Sequence, residues 1–348
     1  MLVKTLKYNY MKRYWLMLIA ISMLFTSCFD DDFFQHKNTY QGNLDALWEI
    51  IDERYCYLDY KGIDWLSIKR EYDAKLSTVN NSVELFDLFA EMLDNLKDGH
   101  VNLTSSFDRS RYWKWYTDYP ANYSSSIIFG KNSKYLGEKY RIAGGFRYGT
   151  IDSGKIGYMY YGDFSAAFSN TNVDRIFSAF AECEALIIDV RNNGGGSLSY
   201  SEGLASYFFT KEKVTGYIRH KAGKGHSDFS DFKEMRTPSN KLLRWDNRPV
   251  AVLTNRMSYS ATNDFVNRMK NAPNTIIVGD KTGGGGGLPM SSELPCGWSI
   301  RFSAAPMYDI NKMDTEFGID PDYKVDMNTA DMTSDAIIEK AIEELRKM

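Results

Sequence analysis

Apolar positions divide the chain into two parts. From Asn43 to Lys97 they recur every three or four residues: Leu44, Leu47, Trp48, Ile51 and Tyr55, then Trp65, Ile68, Tyr72 and Leu76. After Ser82 the stripe continues through Leu85, Phe86, Phe89, Met92, Leu93 and Leu96. That period predicts a small helical bundle over 43–97, with Ser82 as an N-cap. Beyond it the pattern changes. Short continuous apolar runs at Ile156–Tyr161, Ala185–Val190, Val250–Leu253, Thr275–Val278 and Ile300–Ala304 read as strands. Helical spacing falls between or after them, over 172–180, 200–209, 264–269 and 334–345. Strands buried on both faces and alternating with helices predict an α/β core over 98–348. Residues 211–248 are polar and read as a loop insertion. Gly283–Gly287 is an unbroken glycine run, predicted as irregular backbone.

Charge and cysteine content narrow the partners. Forty-two basic and 45 acidic side chains give a net charge of −3, with no basic stripe interleaved with aromatics. Nucleic acid is therefore not expected as a partner. The N-terminus reads as a targeting segment over 1–28: Lys12-Arg13, an apolar stretch from Trp15 to Phe25, then Thr26-Ser27-Cys28. It resembles a bacterial lipoprotein signal, which implies lipidation of Cys28 and a membrane partner through that anchor. The apolar stretch is short for a spanning helix. Phe29-Asp30-Asp31-Asp32 opens a tether over 29–42 and resembles the surface-export signal of Bacteroidetes lipoproteins. Cys56, Cys183 and Cys296 remain, an odd count without metal-ligand spacing, and read as buried thiols. No metal and no cofactor are expected.

Candidate chemistry gathers at the corners. Val250–Leu253 runs into Ser258-Tyr259-Ser260-Ala261-Thr262 and then a helix. A serine on a strand-to-helix corner is placed for nucleophilic chemistry, and equally for a turn or an N-cap. Ala185–Val190 likewise runs into Arg191-Asn192-Asn193-Gly194-Gly195-Gly196. Of the four histidines, His36 falls in the tether, and His220 and His226 in the polar insertion. His100, between Asp98-Gly99 and the alternating Val101 and Leu103, is the one whose context suggests a fixed imidazole. The irregular aromatic stretch from Arg109 to Tyr123 would line a cleft or cover the core.

Five segments together resemble one family, the C-terminal processing (tail-specific) serine peptidases with their tricorn and interphotoreceptor retinoid-binding relatives. LKDGHVNL (96–103) is similar to the family's DGH segment, and LIIDVRNNGGG (186–196) to its strand and glycine loop. TNRMSYSATNDF (254–265) resembles the nucleophile loop, IIVGDKTGGGGG (276–287) the segment after it, and EFGIDPDYKV (316–325) the closing motif. The order is the family's, from about residue 43 to the C-terminus. The resemblance implies a Clp protease/crotonase-like β/α spiral core and peptide or unfolded-protein substrates. It implies Ser260 as nucleophile, His100 as base and Glu316 as the acidic member. Gly194, Gly195 and Ala261 would form the oxyanion hole. Two departures separate the chain from the tail-specific branch. Gly285 stands where that branch has its lysine base, with Lys281 the nearest lysine. The interval from His100 to Ile156 is short for a PDZ domain, so none is expected. Both point to the tricorn-like branch, although Gly99 replaces the serine that precedes the histidine in tricorn. A histidine base implies activity rising through a group that titrates near ~6.5, modified by its surroundings. The resemblance also leaves open a non-catalytic peptide- or lipid-binding lipoprotein on the same fold.

Overall fold

A computed structural model describes residues 36–245 and 247–348. The expected signal peptide, Cys28 and the start of the tether lie outside these residues. The first helix, α1 (Tyr40–Arg54), buries Leu44, Leu47 and Ile51. It ends where Tyr55 turns extended and the Cys56 N–H donates to the Ser303 carbonyl at 3.0 Å. One further turn, α2 (Leu58–Lys61), is closed by Gly62 in the left-handed region at φ 64°. Helices α3 (Trp65–Leu76) and α4 (Ser82–Asp94) follow. The side chain of Asn81 caps α4 by accepting from the Val83 and Glu84 amides, one residue before the expected cap.

The remaining elements run β1 (Asn102–Thr104), α5 (Lys114–Thr117), α6 (Ser125–Phe129), β2 (Arg141–Ala143), β3 (Phe146–Ile151), β4 (Ile156–Tyr161), α7 (Asn170–Ala179), β5 (Ala185–Asp189) and α8 (Leu198–Ala205). Then come β6 (Lys213–Ile218), β7 (Lys233–Thr237), β8 (Val250–Thr254), α9 (Ala261–Met269), β9 (Thr275–Gly279), β10 (Gly287–Glu293), β11 (Ser299–Tyr308), β12 (Tyr323–Lys324) and α10 (Ala336–Leu345).

A seven-stranded sheet, ordered β12-β9-β8-β5-β4-β3-β2, forms the centre. It is parallel from β4 through β5, β8 and β9 to β12, and antiparallel at the β2-β3-β4 end. Successive residues of a strand face opposite sides. Leu186, Ile188, Val250 and Val252 therefore pack with Val173, Phe265 and Leu204 of the crossover helices. Ile187, Ala251 and Leu253 pack on the other side with Ile337, Ile338 and Ala341 of α10. This is why the strands read as unbroken apolar runs. The second sheet, in which β11 pairs with β1, β6 and β10, shares its core with the N-terminal helices: Leu47, Phe89 and Met92 meet Ile300, Phe302 and Trp298.

The polar stretch 211–248 is not simply a loop. It contains the antiparallel pair β6–β7, which extends the second sheet where Ile218 pairs with Met307. The strands were hidden because most of their side chains stay accessible, so no apolar alternation marks them. The glycine run also ends differently, since Gly287 opens β10. The three described cysteines are free; Cys56 and Cys183 are buried, while Cys296 is only half-buried.

Candidate active site

The site lies at the carboxyl ends of β5 and β8, the usual place for chemistry on a parallel sheet. The loop after β5 is fixed from beneath. Arg191 is fully buried, with Nη2 2.6 Å from Asp189 Oδ2 and Nη1 2.8 Å from Asp335 Oδ2 at the cap of α10. The Asn192 N–H donates to Asn255 Oδ1 at 3.0 Å, and Asn255 Nδ2 donates to Asn192 Oδ1 at 2.7 Å, stitching this loop to the one after β8. Ser258 is buried: its Oγ donates to the Val190 carbonyl at 2.9 Å and accepts from the Asn255 N–H. That makes it structural. Ser260 is half-buried and sits at φ 59°, ψ −119°, directly before α9. Its N–H donates to the Gly284 carbonyl at 2.9 Å, so the corner is pinned against the glycine run.

A non-glycine residue with this φ is strained by about 1–3 kcal/mol. We predict that Ser260→Gly is more stable than Ser260→Ala by about 1 kcal/mol, because glycine relieves the strain and neither variant has Oγ. Chemical denaturation of the two variants measures this. A less stable glycine variant would mean that the corner stores no strain.

His100 comes from the turn before β1, and its Nε2 lies 2.8 Å from Ser260 Oγ. Asp98 fixes the histidine backbone by accepting the His100 N–H on Oδ1 at 2.8 Å. Asp98 Oδ2 accepts from Tyr55 Oη at 3.0 Å and Ser303 Oγ at 2.8 Å. Burial works against the Asp98 charge, but Lys61, His100 and these donors outweigh it and hold the carboxyl below its ordinary pKa. The imidazole itself is buried, and that burial lowers its pKa to about 4 despite the nearby Asp98. This revises the expected titration near 6.5: the ring is neutral, and able to accept a proton, far into the acid range. The Tyr259 ring packs on the imidazole, centroids 4.9 Å apart, and stacks on Trp115 at 4.0 Å.

Glu316 is near this group but not on the imidazole. Its Oε1 lies 2.7 Å from Lys61 Nζ, which is 3.7 Å from Asp98 Oδ2 and donates to the Leu96 carbonyl at 3.2 Å. Glu316 Oε2 is buried without a hydrogen-bond partner; His100 Nδ1 is buried with no bond of ordinary geometry, the Gly287 backbone being the polar group that favours a proton on the ring. Burial, followed by repulsion from Asp98, pushes the Glu316 carboxyl up to about 8. The support behind the histidine is thus a chain, Asp98–Lys61–Glu316, not a single carboxylate. Sequence reasoning missed Lys61: nothing at the end of a short amphipathic turn marks a lysine as buried, and its partners lie 37 and 255 residues ahead.

The expected oxyanion residues divide. The Gly195 N–H donates to Asn193 Oδ1 at 3.0 Å, so that amide is engaged. The need for glycine at 195 is steric: φ is 102°, and a Cβ would come within 2.7 Å of the Tyr259 carbonyl and 2.8 Å of Ser260 Cβ. The amides of Gly194 and Ala261 have no partner among the described residues. Gly194 is exposed and borders the same cavity as Ser260. Gly285 has φ 72°, and a Cβ there would overlap the Tyr259 ring, leaving no room for a lysine. Lys281 turns to the surface, its Nζ 3.4 Å from Asp320 Oδ2.

Two cavities of about 320 and 230 Å³ meet at Ser260. The larger is walled by the aromatic stretch, including Trp113, Trp115 and Tyr116. The smaller is lined by Leu198, Leu288 and Met307. An extended chain crossing both would pass the Ser260 hydroxyl. Among the described residues no cluster of His, Cys, Asp and Glu could hold a metal ion.

Comparison with known proteins gives consistent matches. Residues 155–325 match the model of peptidase family S41, and residues 36–94 match the tricorn protease C1 domain. A Staphylococcus aureus (strain N315) protein named as a CtpA-like serine protease is 24% identical over 151 residues, 43% of this chain and 29% of that protein. The match thus spans under a third of that relative's length. A crystal structure of a candidate peptidase from Parabacteroides merdae is 50% identical, with TM-score 0.84 over 89% of this chain and 97% of that one. Mature CPAF shares the fold at 12% identity, with TM-score 0.63 over 88% and 97% of the two chains.

Proposed function

Because the chain belongs to peptidase family S41, a family of serine-type peptidases, we propose that it is a serine endopeptidase of the cell envelope, acting on unstructured peptides or protein C-terminal regions. The observation that carries the mechanism is the 2.8 Å approach of His100 Nε2 to Ser260 Oγ. In this mechanism His100 takes the hydroxyl proton as Oγ attacks the scissile carbonyl carbon. The amides of Gly194 and Ala261 stabilise the resulting oxyanion, at ~3–4 kcal/mol per donor. The imidazolium then returns the proton to the leaving amine, the C–N bond breaks, and water hydrolyses the Ser260 ester by the reverse sequence. Asp98 fixes the histidine backbone and offsets the ring's transient charge; Lys61 holds Asp98, and Glu316 acts through Lys61. Residues 43–97 serve as a helical platform for Lys61, with 98–348 as the catalytic core.

Digestion of unfolded casein tests this reading, with peptides followed by mass spectrometry. Internal cleavages by the wild type and none by Ser260→Ala are expected. Equal cleavage by both would remove Ser260 from the mechanism.

The envelope location rests on Lys12-Arg13, the apolar run and Cys28 in the sequence. No described helix is long and apolar enough to cross a membrane. Cys28→Ala should move the protein from the membrane to the soluble fraction of a native host; unchanged fractionation would refute the anchor.

A further inference from the structure

Arg301 lies on β11, opposite Asn102 of β1 and Ser291 of β10, and it lines both cavities that meet at Ser260. Among the described residues its side chain makes one hydrogen bond, a weak one from Nη1 to the His100 carbonyl at 3.4 Å. No ion pair engages Arg301 among the described residues, and no Asp or Glu lines either cavity. The exposed Arg111 borders the larger cavity as well, over the Trp113 ring at 5.3 Å, and it too has no acidic partner among the described residues. In a chain with more acidic than basic side chains, a half-buried Arg301 guanidinium beside a nucleophile, without an ion pair among the described residues, is not explained by packing. A half-buried guanidinium with open donors is suited to bidentate recognition of a planar anion. Burial lowers the Arg301 pKa; Tyr259 and Asp98 oppose that shift, and Arg111 and Arg109 add to it.

We propose that Arg301, assisted by Arg111, forms a carboxylate-binding subsite beside Ser260 that selects peptides carrying a carboxylate close to the scissile bond. The inference rests on the peptidase reading for the word scissile, and on geometry alone for binding. The carboxylate has two sources: an internal Asp or Glu side chain, or the free C-terminus of the substrate. The first gives an acid-directed endopeptidase. The second gives trimming of a few residues from a free end.

Binding to Ser260→Ala, read by fluorescence anisotropy, tests the subsite without turnover. One set of fluorescein-labelled Ala/Ser/Leu decapeptide amides carries a single Glu or Gln at each position in turn. A second set lacks acidic residues and ends in a free carboxylate or an amide. A charge-assisted pair in a part-buried cleft should favour the carboxylate member of at least one set by about 10–100-fold. Either set responding supports the subsite and identifies the source. Adding Arg301→Met should bring the ratio near one, whereas Arg301→Lys should keep part of it. Ratios near one in both sets, or a preference that survives Arg301→Met, would overturn the proposal. Should Arg301→Met fail to fold, salt titration of the unmodified site decides, because a preference unmoved by salt is not ionic. If wild type cleaves casein without such a preference, the subsite is wrong and the peptidase reading stands. If the preference holds but nothing is cleaved, the reverse is true.

Discussion

Ser260→Ala and His100→Ala should each lower kcat/KM on an unfolded protein by on the order of 10⁴–10⁶-fold, and the double variant should be no worse than either. A proton acceptor and the hydroxyl it serves act as one unit, so removing either removes the whole step. The 2.8 Å contact is the basis for expecting this dependence. Lys281→Ala should stay within a few-fold of wild type, because its ammonium faces Asp320 on the surface. Assays of the four variants on one peptide settle the point. Activity retained in His100→Ala but lost in Lys281→Ala would reverse the assignment. Acid should also weaken the fold. The unfolded chain protonates its histidine near ~6.5, but the folded site does so only near about 4, so stability falls as pH drops through that window.

Lys61→Met should cost about 3–5 kcal/mol of folding stability at pH 8, the usual effect of breaking a buried ion pair from one side. Lys61 Nζ lies between Asp98 and Glu316, and all three side chains are almost inaccessible. The loss should shrink at pH 5. Without the ammonium both carboxyls bind protons more tightly, so the folded variant holds more protons than the folded wild type. The variant's relative stability therefore falls as pH rises. Urea melts at the two pH values check this, and a loss below 1 kcal/mol, or one independent of pH, would contradict it. Lys61→Arg should recover part of the stability, because it restores a cation there.

What the sequence disclosed depended on how local the signal was. The DGH turn, the two glycine corners and the apolar runs of β5 and β8 are contiguous, and their chemistry can be read within ten residues. The local residues alone leave Ser258 and Ser260 open; the family resemblance singles out Ser260, and the physical reason lies in distant partners, the Val190 carbonyl accepting one hydroxyl and His100 facing the other. Glu316 reads as a partner for the histidine, but its placement depends on a lysine delivered by the N-terminal bundle. Gly195 reads as an amide donor until Asn193 is seen to take that amide. Arg191 looks like part of the loop chemistry, yet its partner Asp335 lies 144 residues away and its role is to anchor α10. Hairpin β6–β7 escaped because polar strands on an accessible sheet carry no alternation.

The central claim is that neutral His100 activates Ser260 in a buried site. The rate of fluorophosphonate labelling at Ser260, measured against pH from 5 to 9 in wild type and His100→Ala, tests it most directly. Labelling in the wild type should already be near its plateau at pH 6, as a group displaced toward about 4 requires, and should be lost in His100→Ala. A wild-type rate that climbs through pH 8–9 and persists without His100 would show that another base does the work.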